Sequence, residues 1–302
     1  MTPARLAPRG LAAASAAFVI WGLFPLYLRP LSAVPATQII AHRVAWSCLF
    51  VLALMLARGE LGRLRAALVN PRLLARLALT ALLITINWLV YVWSVAHAHV
   101  VEASLGYFIN PLVNVALGVV VLRERLNRMQ SLAIALAALG VVYLTVLAGR
   151  PPWIACVLGV TFSLYGLTRK VISVDALPGL AAETLLLLPL ALAYLAWCRL
   201  EGTAAFGAGA PGVTALLVGC GLVTAVPLFL FAYGARVLPY STVGVLQYIG
   251  PSLQLLCGVL VFRESFTAAR AVGFALIWAA LAVYAADGLW RSRAAARALA
   301  RA

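Results

Sequence analysis

The chain alternates between long uninterrupted apolar stretches and short polar or basic breaks. Ten stretches approach the length that crosses a lipid core: 11–28, 36–57, 75–96, 100–122, 129–148, 152–168, 177–198, 212–235, 241–262 and 268–288. Such a crossing takes about 20 mainly apolar residues as a helix. None of the stretches has the ten-residue alternating pattern of a membrane barrel. Helices satisfy every backbone group within the segment, so an all-α integral membrane protein of ten transmembrane helices is predicted. The breaks are short, which predicts antiparallel neighbours. The longest are 58–74, which holds Pro71, and 199–211, rich in Gly and Ala.

The pattern also repeats. Leu105 to Glu124 reads LGYFINPLVNVALGVVVLRE and Val245 to Glu264 reads VLQYIGPSLQLLCGVLVFRE. At an offset of 140 residues, Ile109, Pro111, Gly118, Val119, Val121, Arg123 and Glu124 meet Ile249, Pro251, Gly258, Val259, Val261, Arg263 and Glu264. At an offset of 141, Phe24, Arg29 and His42 meet Tyr165, Lys170 and Glu183. This predicts two five-helix repeats, 1–148 and 149–288, followed by a basic tail, 289–302. Five is odd, so the second repeat enters the membrane in the opposite sense and the repeats are inverted. Duplicated halves with matched proline breaks are the layout of a secondary transporter whose site lies where the repeats meet.

Composition narrows the class further. The chain is 65% hydrophobic and 10% charged, too apolar for a soluble domain of 302 residues. The net charge of +15 does not point to nucleic acid, because the basic residues sit in patches between spans and are not interleaved with aromatics on one face. They set topology instead. With the N-terminus in the cytoplasm, seventeen lie inside and five outside, namely Arg29, Arg150, Arg199, Arg263 and Arg270. Arg43 remains, within a span. Both termini are therefore expected in the cytoplasm, with the tail on the anionic inner leaflet. Arg5 and Arg9 precede a run that begins like a signal peptide, but it continues through Trp21, Phe24 and Tyr27 and is read as a retained span. The five cysteines are scattered singly without metal spacing. Neither a metal nor another cofactor is expected.

Candidate chemistry lies in the polar residues inside the spans. Arg43 sits about 10 Å below the outer surface at 1.5 Å per residue, beside His42. A charge at that depth costs about 2.5–3.5 kcal/mol and usually faces a bundle interior or a wet cavity. It is either a snorkelling or ion-paired structural residue, or a wall of the substrate path that attracts an anionic group. Glu183 enters from the opposite side, about 10 Å away along the normal of a core about 30 Å thick. A structural or gating role is expected for it, and a direct pair with Arg43 stays open. Asn87, Tyr91 and Ser94 share one face of span 3. Tyr107, Asn110, Pro111 and Asn114 mark span 4, and Gln247, Tyr248, Pro251 and Gln254 mark span 9. A membrane proline frees a backbone carbonyl that only protein or a cavity can shelter, so Pro111 and Pro251 are expected to kink their helices. Tyr27, Trp197, Tyr240 and Trp290 fit interfacial belts. No nucleophile or phosphate motif appears, so no enzyme is expected.

Several segments bear a resemblance: WGLFPLY at 21–27, HRVAWS at 42–47, NWLVYVWSV at 87–95, VEASLGYFINPLVN at 101–114, YGLTRK at 165–170 and QYIGP at 247–251. With them the chain resembles the RarD-like permeases of the EamA branch of the drug/metabolite transporter superfamily, over essentially its whole length. The resemblance implies a central cavity, a bacterial inner-membrane location and export of small metabolites or drugs. It departs from the usual pattern at Arg123, where a glycine is common, and at VAHAHVVEAS, where an Asn-Asn-His-His run is usual.

The expected function is a secondary transporter working by alternating access on a small-molecule substrate within the bilayer. Its cavity would be lined by His42, Arg43, Trp46, Asn87, Tyr91, Tyr107, Asn110, Tyr165, Gln247 and Tyr248. The alternative is a non-transporting sensor or assembly protein with a dry bundle core, in which Arg43 and Glu183 would pair.

Overall fold

The structure, a computed structural model, describes residues 3–122, 127–172, 174–208, 211–238, 243 and 246–299. Its elements are α1 Pro3–Gly22, α2 Phe24–Leu28, a 3-10 turn Arg29–Leu31, α3 Ala36–Ala57, α4 Leu61–Val69, α5 Pro71–Ala96, α6 Val100–Leu122, α7 Arg128–Ala148, α8 Trp153–Val171, α9 Ala176–Leu200, α10 Pro211–Val237, α11 Ile249–Leu256 with a π-turn Cys257–Val261, and α12 Ala268–Leu299. No strand occurs among the described residues. Six of these helices are long and apolar enough to cross a membrane alone, and α1 with α2 makes a seventh as a pair bent by 43°. The chain is thus an all-helical membrane protein. Trp153–Arg169 and Ile249–Val261 are shorter apolar segments.

Each predicted stretch overlaps helix among the described residues, although residues 241, 242, 244 and 245 of the stretch 241–262 lie outside them. The stretch 11–28 is broken, because Pro25 supplies no amide N–H for a continued helix and instead sits in the first turn of α2. The connection 58–74 is not a plain loop. It holds α4, and Asn70 then accepts from the amides of Arg72 and Leu73 to start α5 four residues earlier than 75. Pro251 is the third residue of α11, where its missing N–H breaks no bond, while Pro111 lies inside the continuous α6. The break in span 9 therefore falls at the Gln247–Tyr248 turn, ahead of the proline. Helix α12 continues to Leu299, through most of the segment read as a tail. Arg123, Glu124, Tyr240 and Val245 lie outside the described residues.

Contacts sort the loops into two ends. At one end the Arg29 guanidinium lies 5.8 Å from the Phe262 ring, and Glu102 meets Arg150 at 3.4 Å. There Glu264 also accepts from the Val100 and Val101 amides at 2.5 and 2.9 Å. This caps the otherwise open amides at the start of α6. Burial holds the Glu264 carboxyl above the usual carboxylate range in spite of those donors. At the other end Arg63 meets Asp175 at 3.4 Å, and Asn127 donates to Asp287 at 2.8 Å.

Helices α7 and α12 run antiparallel, since Asn127 reaches Asp287 while Leu144 lies against Gly273. Helices in lipid gain little from hiding apolar surface, so they associate through close van der Waals contact at small residues. The α7–α12 crossing shows this. A β-carbon on Gly140 would lie 2.9 Å from Ile277 Cγ1 and 3.0 Å from the Gly273 carbonyl oxygen. Gly140→Val is expected to destabilise the fold by about 1–3 kcal/mol through this overpacking. Gly166→Ala, with nothing within 4 Å of the added carbon, is expected to be neutral or slightly stabilising. Thermal unfolding of both variants in detergent checks the contrast, and equal behaviour would overturn the account.

Candidate functional site

Helix α3 carries His42, Arg43 and Trp46 in its first half, and five elements converge on Arg43. Its side chain is 5% exposed. The guanidinium carbon lies 4.0 Å from the centre of the Trp88 ring on α5 and 5.0 Å from that of Phe24 on α2. Aromatic faces are negative, so they attract the cation without discharging it. Phe24 stacks on Tyr27 and Tyr91, with centroids 5.7 and 6.0 Å apart. Tyr91 meets the Tyr107 ring of α6 edge-on at 5.8 Å. The Tyr107 hydroxyl donates to Asn87 Oδ1 at 3.0 Å, and Asn87 Nδ2 donates to the Leu158 carbonyl and to Thr161 on α8 at 2.9 and 3.0 Å. Two polar atoms in this cluster are buried without a partner, Arg43 Nε and the Tyr91 hydroxyl. None of the ion pairs among the described residues includes Arg43.

Glu183 is treated in the opposite way. It is 1% exposed, and three neighbours bind its carboxylate. Arg169 Nη1 lies 3.6 Å from Oε1, the Thr80 hydroxyl donates to Oε1 at 2.7 Å, and the Tyr165 hydroxyl donates to Oε2 at 3.4 Å. This network ties α5, α8 and α9 together toward the end that carries Arg63 and Asp175. The direct Arg43–Glu183 pair left open from the sequence is not formed. Arg169, read as a rim residue, is the partner that neutralises the acid.

The other expected cavity residues separate into smaller groups. Phe206 folds over His42 and Trp46, at centroid distances of 5.1 and 6.2 Å. Asn110 is 8% exposed and accepts from Ser163, while Asn114 on the same helix is exposed. Tyr165 belongs to the Glu183 network. Gln247 and Tyr248 are half-buried in the turn before α11, and Tyr248 packs against the core cluster that holds Phe108, Leu255 and Phe274. Asn87, Tyr91 and Ser94 are buried along one face of α5, as their spacing predicts. The structure thus brings Arg43, Asn87, Tyr91 and Tyr107 together and leaves the rest around them.

Sequence reasoning missed Phe24, Trp88 and Thr161, which carry no charge to draw attention. It also assigned Tyr27 to an interfacial belt. Tyr27 instead donates to the Leu216 carbonyl and stacks within the Arg43 cluster. The cation beside WGLFPLY and NWLVY was the available signal, since a buried arginine needs aromatic or anionic neighbours. Above α2, a cavity of about 620 Å³ is lined by Arg29, Leu260, Val261, Phe262 and Arg263. The segment next to it contains the π-turn and Arg263 in a left-handed conformation at φ 53°, two departures from regular helix.

Residues 8–146 match the model of the EamA-like transporter family. The chain is 48% identical to an uncharacterized transporter of Pseudomonas aeruginosa, over 94% of this chain and 95% of that one. It is 46% identical to the protein RarD of Streptomyces exfoliatus, over 94% and 90%. One solved crystal structure shares the fold with a TM-score of 0.58 at 21% identity, covering 91% of this chain and 96% of the other.

Removing one member of a buried ion pair leaves the other charge without a partner and costs about 3–5 kcal/mol. Arg169 keeps 16% exposure, so Glu183→Ala is expected at the lower end of that range. Arg169→Ala should cost a similar amount, and the double variant should cost clearly less than the sum of the two. Unfolding in detergent measures the cycle, and additive effects would show that the pair does not hold the helices.

Proposed function

Because this chain belongs to the EamA transporter family, within its RarD-like branch, we propose that it is a secondary permease that exports a small metabolite or drug by alternating access. It is a multi-pass membrane protein with bacterial relatives, which supports the inner membrane as its place. The reading extends to ten spans in two inverted repeats with both termini in the cytoplasm.

The observation that carries it is the pattern of helix pairing. Exchange α1–α2 with α8, α3 with α9, α5 with α10, α6 with α11 and α7 with α12. The packing of α1 on α10 then becomes that of α8 on α5, α6 on α8 becomes α11 on α1, and α3 on α10 becomes α9 on α5, and all of these pairs are in contact. The α3–α9, α6–α11 and α7–α12 contacts map onto themselves. Thr37 of α3 meets Tyr194, while Cys48, eleven residues on, sits beside Thr184. That antiparallel crossing is what a twofold axis in the membrane plane requires.

In this reading Arg43, Asn87, Tyr91 and Tyr107 form the centre of the substrate site, with His42, Trp46, Asn110, Gln247 and Tyr248 around it. Glu183 with Arg169, Thr80 and Tyr165 closes the inner end, and Pro111 and Pro251 shape the helices. Alternating access needs the two ends to differ in one of its states, and the Glu183 network toward one end with the cavity beside Arg29 and Arg263 at the other supports that reading. The rival dry-core sensor would require its charges to be paired, and the unpartnered Arg43 Nε and Tyr91 hydroxyl speak against it.

Counterflow in proteoliposomes against a panel of metabolites and drugs tests transport, and no exchange of any compound would refute it. Topology is checked by labelling from outside in a background lacking the five native cysteines. Ala208→Cys is expected to react and Arg65→Cys is not, since both positions are exposed but belong to opposite ends. The reverse pattern would sink the proposed orientation.

A further inference from the structure

We infer that the substrate is a small organic acid, bound as its carboxylate anion by Arg43 with its apolar body among the aromatic rings, and not a cation or a zwitterion. The inference rests on the permease reading and specifies the ligand of that same site.

The charge inventory carries it. The chain has eight acidic residues, and Glu124 alone of these lies outside the described residues. Glu183 is taken by Arg169. Glu264 spends its two oxygens on the Val100 and Val101 amides. Glu102 holds Arg150 and the Ile154 amide. Glu60 and Asp175 face Arg63, Asp287 faces Asn127, and Glu201 is exposed at the end of α9. None of the seven described acids forms an ion pair with Arg43. A buried charge without a counter-charge is among the most costly features a fold can hold. The Trp88 and Phe24 faces soften that cost but do not neutralise it.

The guanidinium lies over Trp88, and a cation stacked in this way still has its planar fork of donors for a carboxylate. The partnerless Tyr91 hydroxyl, on a side chain 3% exposed, is a second donor in the same cluster. The approach has the same sign. The cavity of about 620 Å³ is lined by Arg29, Arg263 and three apolar side chains, with no acid among them. Arg29 immediately follows α2, whose Phe24 lies 5.0 Å from the Arg43 guanidinium. Basic residues at this end of the bundle attract anions and repel cations. A zwitterion would bring an ammonium group into a site with no described carboxylate to receive it. The surrounding rings of Phe24, Trp88, Tyr91 and Tyr107 suit an apolar body over a hydrophilic one.

The test titrates purified protein in detergent with 3-phenylpropanoate, its amide and 2-phenylethylamine, in chloride-free buffer. The same compounds then enter proteoliposome counterflow beside a panel of organic acids, neutral compounds and amines. The acid is expected to bind at least about 30-fold more tightly than the amide, the factor that corresponds to a buried charge pair, and the amine is expected not to bind. Arg43→Ala, checked for monodispersity and thermal unfolding, should lose that factor for the acid and leave the amide unchanged. Arg43→Lys should restore part of it. Should Arg43→Ala fail to fold, the acid-against-amide comparison on the unaltered protein still decides. Equal binding of acid and amide, or counterflow of neutral or cationic compounds only, would overturn the organic-acid assignment and leave the permease standing. Saturation by chloride or sulfate with no competition from any organic acid would mean an inorganic anion and overturn it as well. No counterflow by any compound would instead refute the permease reading.

Discussion

Inside lipid, helices have nothing to gain by exchanging one apolar neighbour for another, and the whole structure follows from that constraint. What remains to hold the bundle is close contact and the few polar groups that cannot be left alone. Gly140 therefore sits against Gly273 with no room for a methyl group, and Gly106 sits equally close to the Ala155 backbone. Polar side chains do the rest at the crossings, as Asn87 does between α5 and α8 and Asn110 between α6 and α8. The helix ends are tied in the same manner. Glu264 caps α6, and Glu102 of α6 caps α8, so one helix start is fixed by the last loop of the chain and in turn fixes another.

The two deep charges show how differently the same constraint is met. Glu183 receives a cation and two hydroxyls and becomes part of the frame. Among the described residues, Arg43 receives rings and no acid. A frame residue is best fully satisfied, because a half-satisfied buried network is worse than an apolar one. The binding role proposed for Arg43 follows the opposite logic, because a residue left short of one partner can receive it from a ligand. The Glu183 network lies toward the end that carries Arg63 and Asp175, and the basic cavity lies at the other end, which the Glu102–Arg150 pair also ties.

Much of this was legible in the chain itself. Apolar runs of the length of a bilayer specify membrane helices, because no other element satisfies its own backbone in lipid. The offset of 140 residues, from Ile109 and Ile249 to Glu124 and Glu264, is the signal for the proposed duplication. Arg43 and Glu183 stood out because a charge in an apolar run is expensive wherever the run packs. The face shared by Asn87, Tyr91 and Ser94 came from helical spacing alone. These features are local or periodic, and a sequence records them directly.

Partnership was decided only in three dimensions. Sequence spacing placed Arg43 and Glu183 opposite each other by depth but carried no information on rotation about the helix axes, which turns Glu183 to Arg169 and Arg43 to Trp88 and Phe24. Tyr27 looked like a belt residue because it stands near the end of a span, yet the bend before α2 swings it into the cluster. Pro251 looked like a kink because its copy Pro111 lies within a helix, yet α11 begins just ahead of it. The sequence by itself determined which elements exist and which residues are too polar for lipid. The tertiary structure decided which of those residues meet and which one is left uncompensated, because in lipid that choice depends on how closely small residues let particular helices approach.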